Sequence, residues 1–171
     1  MMAVAEAGLR KILVSACLLG EKVRYDGCDA AAQHPILADW CARGLVIPFC
    51  PEVAGGLPVP REAAEIKGGS GADVLDGSAF VWDRSGRDVT AAFLEGARKA
   101  LAMARSNRVS TAILKEKSPS CATLHTYAGS FQGKLEAGTG VTAALLQRHG
   151  IAVFNEHQLA KAAQHWAREL A

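Results

Sequence analysis

The chain has 171 residues, of which 50% are hydrophobic and 21% charged, and its formal net charge is +2. This composition excludes an intrinsically disordered chain, which would have lower hydrophobicity and a higher net charge. The length suffices for one domain with a sizeable core, so we expect residues 1–171 to fold as a single domain. Because the basic residues are scattered, we expect no binding to polymeric nucleic acid.

The first half of the chain predicts two strands separated by a helix. Residues 11–16 are apolar and β-branched, which is typical of a buried strand. Apolar residues at helical spacing predict a helix over residues 31–42, and a second apolar run predicts a strand over residues 45–49. Pro48 indicates that this second strand is irregular or lies near an edge of the sheet.

The middle of the chain predicts a loop, a hairpin and a helix. Residues 51–70 are rich in glycine and proline with interleaved apolar residues, which favours an ordered loop or lid over a linker. A β-hairpin is predicted next, with its arms over residues 72–75 and 79–82. An amphipathic helix is expected over residues 90–105, with Asp88 as its N-cap.

The last third of the chain again alternates strands with helices. We predict a strand over 109–114, a glycine-rich loop over 129–140, a helix over 141–149, a strand over 152–154 and a C-terminal helix over 158–170. Alternation of this kind predicts an α/β fold with a mostly parallel sheet and right-handed crossovers. Ligands of such folds bind beyond the carboxyl ends of the strands.

The sequence also indicates where the protein is located. The first 11 residues lack the pattern of a signal peptide, and no apolar stretch approaches the roughly 20 residues of a membrane span. We therefore expect a cytoplasmic protein that does not enter a membrane.

The odd number of cysteines disfavours a disulfide framework and is compatible with metal binding or catalysis. They are Cys17, Cys28, Cys41, Cys50 and Cys121.

Three of these residues, Cys17, Cys50 and Cys121, follow predicted strands. Equivalent strand ends lie along one edge of a parallel sheet, so the three cysteines can meet in space. A cluster bound by three thiolates keeps one iron with an open position, which suits a Lewis acid that binds a substrate sulfur. The spacing alone leaves open that all three are small buried hydrophobic residues. The chain has no Cys-x-x-Cys pair, which disfavours a zinc ribbon or a thioredoxin-like site.

Long motifs surround the three cysteines: VSACLLGEKVRYDG, PFCPEVAGGLPVPREAAEI, LKEKSPSC and GTGVTAALLQRHGIAVFNE. They resemble the 2-thiouracil desulfidase family, and the resemblance extends from about residue 11 to residue 156. It implies a single Rossmann-like α/β domain with a mostly parallel sheet, helices on both faces and a small β-hairpin insertion. It also implies a 4Fe-4S cluster with three cysteine ligands, Cys17, Cys50 and Cys121, and one open iron.

The resemblance further implies catalytic roles for Glu52 and Ser118. When iron draws electron density from a C=S group, the ring carbon becomes electrophilic, and the Glu52 carboxylate can deprotonate or orient the attacking water. Ser118 can position this water or relay a proton. Without the family motif, Glu52 would be interpreted as a solvated carboxylate and Ser118 as a capping or turn hydroxyl.

Five further residues are candidates for substrate binding. Gly138, Thr139 and Gly140 precede a helix and can present backbone amides to a phosphate, although turn and capping chemistry is the simpler interpretation. Tyr25 and Asp26 either line the pocket or form a turn.

Two more cysteines and one departure from the family pattern complete the set of site residues. Cys28 and Cys41 are interpreted as structural, and Cys28 is kept as a possible fourth ligand or persulfide acceptor. Ala122 stands where we expect a glycine, so the backbone path after the third ligand is in question.

The function implied by the resemblance is hydrolytic, non-redox removal of sulfur from a thiolated uracil, with release of hydrogen sulfide. The substrate would be 2-thiouracil or a 4-thiouridine form such as its monophosphate, so the partner is a small thiolated base or nucleotide. An alternative is an iron-sulfur or sulfur-carrier protein without a hydrolytic step. A zinc-bound regulatory module is a third interpretation.

Overall fold

The computed structural model describes residues 8–171, which contain eight strands and six α-helices. The first seven residues, which the predicted domain includes, lie outside the described residues. In chain order the strands are β1 (Ile12–Ser15), β2 (Val46–Phe49), β3 (Ala64–Lys67), β4 (Phe80–Asp83), β5 (Thr111–Leu114), β6 (His125–Tyr127), β7 (Leu135–Ala137) and β8 (Ala152–Asn155). The helices are α1 (Pro35–Ala42), α2 (Pro51–Ala54), α3 (Gly71–Leu75), α4 (Thr90–Ser106), α5 (Val141–Arg148) and α6 (Leu159–Leu170).

Four of the strands form a parallel sheet in the order β2-β1-β5-β8. These are the four strands that the apolar runs predict. Ile12 of β1 pairs with Val46 on one side and with Thr111 on the other. Strand β2, which contains Pro48, lies at the edge of the sheet, as its proline indicates. The chain leaves β1 for β2 on one side and later returns to place β5 on the other, which creates a crevice at the carboxyl end of β1.

Helices cover both faces of this sheet, which confirms the predicted fold class. Ile12 and Val14 point to one face and pack with Trp40 of α1 and Trp166 of α6. Leu13 points to the opposite face, where α4 and α5 pack. Burial on both faces explains why β1 and β5 are almost continuously apolar, except for Ser15 and Thr111, instead of alternating.

The predicted hairpin is wrong in its first arm. Residues 71–75 form α3, and β4 pairs in antiparallel fashion with β3, inside the segment predicted as a loop. The start of α3 is stabilised by Ser70, whose backbone N–H and hydroxyl both donate to the Asp73 carboxylate. Periodicity over five residues cannot distinguish such a short helix from a strand, so the local hydrogen bonds decide.

A second small hairpin, β6–β7, was not predicted. It pairs Thr126 with Glu136 and includes part of the glycine-rich segment over 129–140. All three residues of β7 are exposed, so the strand has no apolar alternation that a sequence pattern could reveal.

The long helices agree with the predicted ones to within a few residues. Helix α4 has 17 residues, and the Asp88 carboxylate accepts a hydrogen bond from the Thr90 N–H at 2.9 Å, although the N-cap position itself is Val89. Among residues 8–171, we find no helix with the length and apolar character that crossing a membrane requires.

Candidate functional site

A cavity of about 520 Å³ lies at the carboxyl ends of β1, β2 and β5. Cys17, Cys50 and Cys121 all line it. Cys17 lies in the 3-10 turn that follows β1, Cys50 directly follows β2, and Cys121 lies in the turn after β5. The structure therefore brings together three thiols that are 33 and 71 residues apart in the chain.

Burial sets the acid-base properties of these thiols. Cys17 is 8% exposed and Cys121 is 4% exposed. Burial, aided by the nearby Cys50, raises the pKa of Cys17 to about 11. Burial also raises the pKa of Cys50 and of Cys121. Thiolates at these positions therefore need a compensating positive charge, which bound metal ions supply.

The three thiols are the kind of donor that an iron-sulfur cluster requires. Burial raises the pKa of Cys121, and the nearby Cys17 and Cys50 raise it further. Thiolates are the usual ligands of iron-sulfur clusters. Three thiols around one cavity therefore fit a cluster with three cysteine ligands. Within the described part of the chain, no group of three His, Cys, Asp or Glu side chains has the arrangement of a single-ion site.

Two serine hydroxyls hold Cys121 in place. The Ser15 hydroxyl donates to the Cys121 Sγ at 3.5 Å and accepts from the Lys115 N–H at 3.0 Å. The Ser118 Oγ accepts from the N–H groups of Ser120 and Cys121 at 3.1 and 3.2 Å. Ser118 also lines the cavity, and its own hydroxyl hydrogen has no acceptor among residues 8–171. It is thus both a turn hydroxyl and an available donor.

Glu52 lies in the first turn of α2, two residues after Cys50, and lines the same cavity. Burial raises the pKa of Glu52 above its ordinary value, while Arg61 opposes this shift. The Arg61 Nε lies 3.3 Å from Glu52 Oε1, and the side chain of Arg61 is only 6% exposed. Its other guanidinium nitrogens donate to the carbonyl oxygens of Pro58 and Val23. Arg61 therefore fixes one oxygen of Glu52 and leaves the second for another partner.

Comparison with known proteins places this constellation in a family. A family model described as 2-thiouracil desulfurase matches residues 12–158. The chain belongs to the 2-thiouracil desulfurase family. This confirms the resemblance that the motifs around the cysteines indicate.

Two relatives of this desulfurase-family chain are similar over nearly their full length. It is 47% identical over 148 residues to the uncharacterized protein YbbK of Bacillus subtilis (strain 168), which covers 86% of this chain and 97% of YbbK. It is also similar to the solved structure of the 4Fe-4S-dependent thiouracil desulfidase TudS. That match has a TM-score of 0.85 and 46% identity, and it covers 95% of this chain and 99% of TudS.

The glycine-rich motif of this desulfurase-family chain has a different position from the one expected for substrate binding. Gly138, Thr139 and Gly140 do not line the cavity. The N–H groups of Gly138 and Gly140 donate to the carbonyl oxygens of Leu124 and Ala122, both at 2.8 Å. A Cβ on Gly140 would overlap the backbone at Ser120 and Cys121, so only glycine permits this approach. The motif thus supports the turn that carries Cys121.

The other candidates divide between the cavity and the surface. Tyr25 lines the cavity and is 42% exposed, whereas Asp26 does not line it and accepts a hydrogen bond from the Cys28 N–H at 3.0 Å. Cys28 and Cys41 are exposed and lie outside the cavity. The structure therefore does not bring Cys28 to the three other thiols as a fourth ligand.

Three glutamates line the cavity, and their partners differ. Glu116 accepts from backbone N–H groups and from the hydroxyl of Thr123 and the amide of Asn155. Burial acts to raise the pKa of Glu116, but these hydrogen bonds outweigh it and lower the pKa to about 2. Glu65 accepts two backbone N–H groups of a neighbouring loop. Glu52 alone combines burial with a single side-chain partner, which suits a base.

The sequence patterns do not distinguish four residues that the structure places at the site: Ser15, Arg61, Glu65 and Glu116. The available signal was weak, because charged residues within a family-like motif are usually interpreted as solvated. Their roles depend on partners up to 106 positions away, such as Cys121 for Ser15.

Proposed function

We propose that this chain is an iron-sulfur-dependent desulfidase that hydrolytically removes sulfur from a thiolated uracil. The observation that carries the proposal is one cavity lined by three thiols, two of them buried and one half-buried, and by a mostly buried carboxylate with an available oxygen. Membership of the desulfurase family and the similarity to TudS support it. The products are the oxo pyrimidine and hydrogen sulfide, because water supplies the oxygen that replaces sulfur.

The ligands in this proposal are Cys17, Cys50 and Cys121, which would hold a 4Fe-4S cluster with one open iron. Such a cluster supplies a Lewis acid that polarises the C=S bond of a substrate. The chain itself orients the third ligand: Ser15 donates to its sulfur, and Ser118 accepts from its backbone N–H.

Glu52 acts in this proposal as the general base. It accepts a proton from the attacking water, whose oxygen forms a bond to the ring carbon. The remaining proton of the added hydroxyl passes to sulfur as the carbon–sulfur bond breaks, which leaves the oxo group on the ring and releases hydrosulfide, and the proton on Glu52 then returns to give hydrogen sulfide. No electron is transferred in this sequence. Burial favours the role because it raises the pKa of Glu52 toward the working pH, and Ser118 donates its free hydroxyl hydrogen to water or substrate.

The size and charge of the cavity support a small base or nucleotide as substrate. Its volume of about 520 Å³ lies within the range of roughly 300–1,000 Å³ that is usual for small ligands. Arg84 and Lys117 line it, and neither forms an ion pair with a carboxylate within the described residues. The candidates are therefore 2-thiouracil, 4-thiouridine and the monophosphate of 4-thiouridine, the last of which would use this positive charge.

Substitution of Glu52 tests the proposal. The protein is reconstituted anaerobically, its iron and sulfide contents are measured, and sulfide release is followed with each of the three substrates. We expect Glu52→Gln to retain the cluster and to lose at least about 100-fold in kcat, since a general base typically contributes 10²–10⁴-fold.

Glu62→Gln is the matched control, because Glu62 is exposed and lies outside the cavity. Equal sulfide release by Glu52→Gln and wild type would contradict the role of Glu52 as the base, whereas a sulfur carrier would bind sulfur without catalytic turnover. A cluster-loaded wild-type protein that releases no sulfide from any of the three substrates would contradict the proposed activity.

A further inference from the structure

Phe131 has a strained backbone conformation. Its φ of 56° lies in the left-handed region, which bulky residues rarely adopt. The residue is half-buried, and it lines the cavity that holds the three thiols. Strained residues persist only where the surrounding structure enforces them, and they concentrate at functional sites. We therefore looked for the contacts that enforce this conformation of Phe131 and for a functional role of its side chain.

The structural cause is Glu65 of β3. Glu65 is 8% exposed, and one carboxylate oxygen, Oε1, accepts the N–H groups of Gly129 and Phe131 at 3.0 and 3.1 Å. Gly129 also lies tightly against β3, since a Cβ there would overlap the Ile66 carbonyl oxygen. The hydrogen bonds to the buried Glu65 thus attach the loop of residues 128–133 to the β3–β4 hairpin.

The residues around the Phe131 ring indicate a role in ligand binding. The guanidinium carbon of Arg84 lies 5.5 Å from the ring centroid, and Arg84 lines the cavity as well. Lys67 lies 5.8 Å from the same centroid but does not line the cavity. Tyr127, from the preceding strand β6, is another of the four aromatic residues that line the cavity, with Tyr25 and Phe49. This wall presents flat π surfaces and a cation, which favour contact with the ring of a nucleobase.

We propose that Phe131 contacts the substrate and packs against its pyrimidine ring, and that Glu65 is the positioning residue that aims it. The inference rests on the proposed function, because it assigns a binding role for the same substrate. Phe131 then contributes mainly to substrate affinity, whereas Glu52 contributes to the chemical step.

Substitution by glycine separates this role from a structural one. Glycine adopts a φ of 56° without strain, so Phe131→Gly should keep the melting temperature within about 3 °C of wild type while it removes the ring. We expect its KM to rise about tenfold and its kcat to stay within about threefold, since stacking of one base is worth about a factor of ten. Phe131→Tyr should retain a KM within about threefold. Phe80→Leu is the control, because Phe80 is 46% exposed and lies outside the cavity.

The positioning role of Glu65 has its own signature. Glu65→Gln keeps an oxygen that can accept both N–H groups and should retain a nearly normal KM, whereas Glu65→Ala should raise KM as much as Phe131→Gly does. The double variant Glu65→Ala/Phe131→Gly should show no further increase, because both changes remove one contact.

Two results would overturn the proposal: a KM of Phe131→Gly within twofold of wild type, or a fall in its melting temperature of more than about 8 °C with loss of the cluster. Equilibrium dialysis of 4-thiouridine against the cluster-loaded Glu52→Gln protein, with and without Phe131→Gly, measures affinity without turnover. A tenfold weaker binding there supports the role of Phe131 even if sulfide release fails, so failure of the proposed function is recognised separately.

Discussion

Glu52 and Glu116 both line the cavity, but their different partners shift the pKa values of their carboxylates in opposite directions. Glu116 receives several N–H and O–H donors, which stabilise its charged form. Glu52 has one charged partner and a buried environment, which together leave its pKa above the ordinary value. Because Arg61 also donates to two backbone carbonyl oxygens, the orientation of the Glu52–Arg61 pair is fixed by the backbone.

Arg61 is therefore expected to be a positioning residue for Glu52. Arg61→Lys keeps the charge but cannot reproduce the planar fork that reaches Glu52 and two carbonyl oxygens. We expect a loss of about tenfold in kcat for Arg61→Lys and about 100-fold for Arg61→Met, since small misplacements of a catalytic group have effects of this size.

Steady-state kinetics at equal iron content measures this effect. Arg98→Met serves as the control, because the Arg98 side chain is 66% exposed and pairs with Glu95 on the surface of α4. Full activity of Arg61→Met would show that Glu52 needs no such anchor.

At the scale of elements, polar side chains join the strand ends that carry the ligands. Glu116, just after β5, binds N–H groups of Leu124 and His125 at the start of β6 and the Asn155 amide at the end of β8. Its 7% exposure means that few water molecules compete for these bonds. The turn that carries Cys121 lies between β5 and β6 and is therefore held on both sides.

Replacement of Glu116 should change stability in a pH-dependent way. The folded pKa of about 2 lies below the ordinary 4.5, so the charged form contributes about 3 kcal/mol of stability at pH 7. This contribution is complete above about pH 5 and is lost as the pH falls toward 2. Glu116→Gln should thus be less stable than wild type by about 3 kcal/mol at pH 7 and by about 1 kcal/mol at pH 3.

Urea unfolding of the cluster-free protein measures both values. Glu136→Gln on the exposed strand β7 is the control and should unfold like wild type at each pH. A stability difference that does not change between pH 7 and pH 3 would contradict the assignment of a low pKa to Glu116.

At the scale of the whole molecule, the core and the cavity share only a few residues, Cys17 and Cys121 among them. Three hydrophobic clusters lie on the two faces of the sheet and under the β3–β4 hairpin, and most of their residues do not line the cavity. Phe93 of α4, which is fully buried, belongs to the hairpin cluster. The free energy of folding therefore comes mainly from apolar burial that does not depend on a bound cofactor.

Removal of the cluster should consequently leave the protein folded. In the cluster-free protein the raised pKa values keep the Cys17, Cys50 and Cys121 thiols neutral at pH 7, so no buried negative charge destabilises the cavity. We expect circular dichroism to retain the helix and strand signal after chelation, and the melting temperature to fall because a ligand that binds only the folded state is lost. A random-coil spectrum at 25 °C would show instead that the cluster is required for folding.

The sequence by itself determined the four central strands and the convergence of the three cysteines. Apolar runs long enough to be buried on both faces reveal parallel strands locally, and residues after parallel strands necessarily share one edge. The motifs around Cys17, Cys50 and Cys121 also sufficed to indicate the family. Five short elements were missed because each contains too few residues to show a period: α2, α3, β3, β6 and β7.

Only the tertiary structure decided which groups are available for chemistry. Gly138 and Gly140 have the pattern of an anion site, yet their N–H groups are bonded to the turn near Cys121. Glu52 has an oxygen available, whereas Glu65 and Glu116 are committed to backbone groups. Whether a polar group is free to react depends on hydrogen-bond partners that are distant in the chain. The local sequence does not reveal those partners.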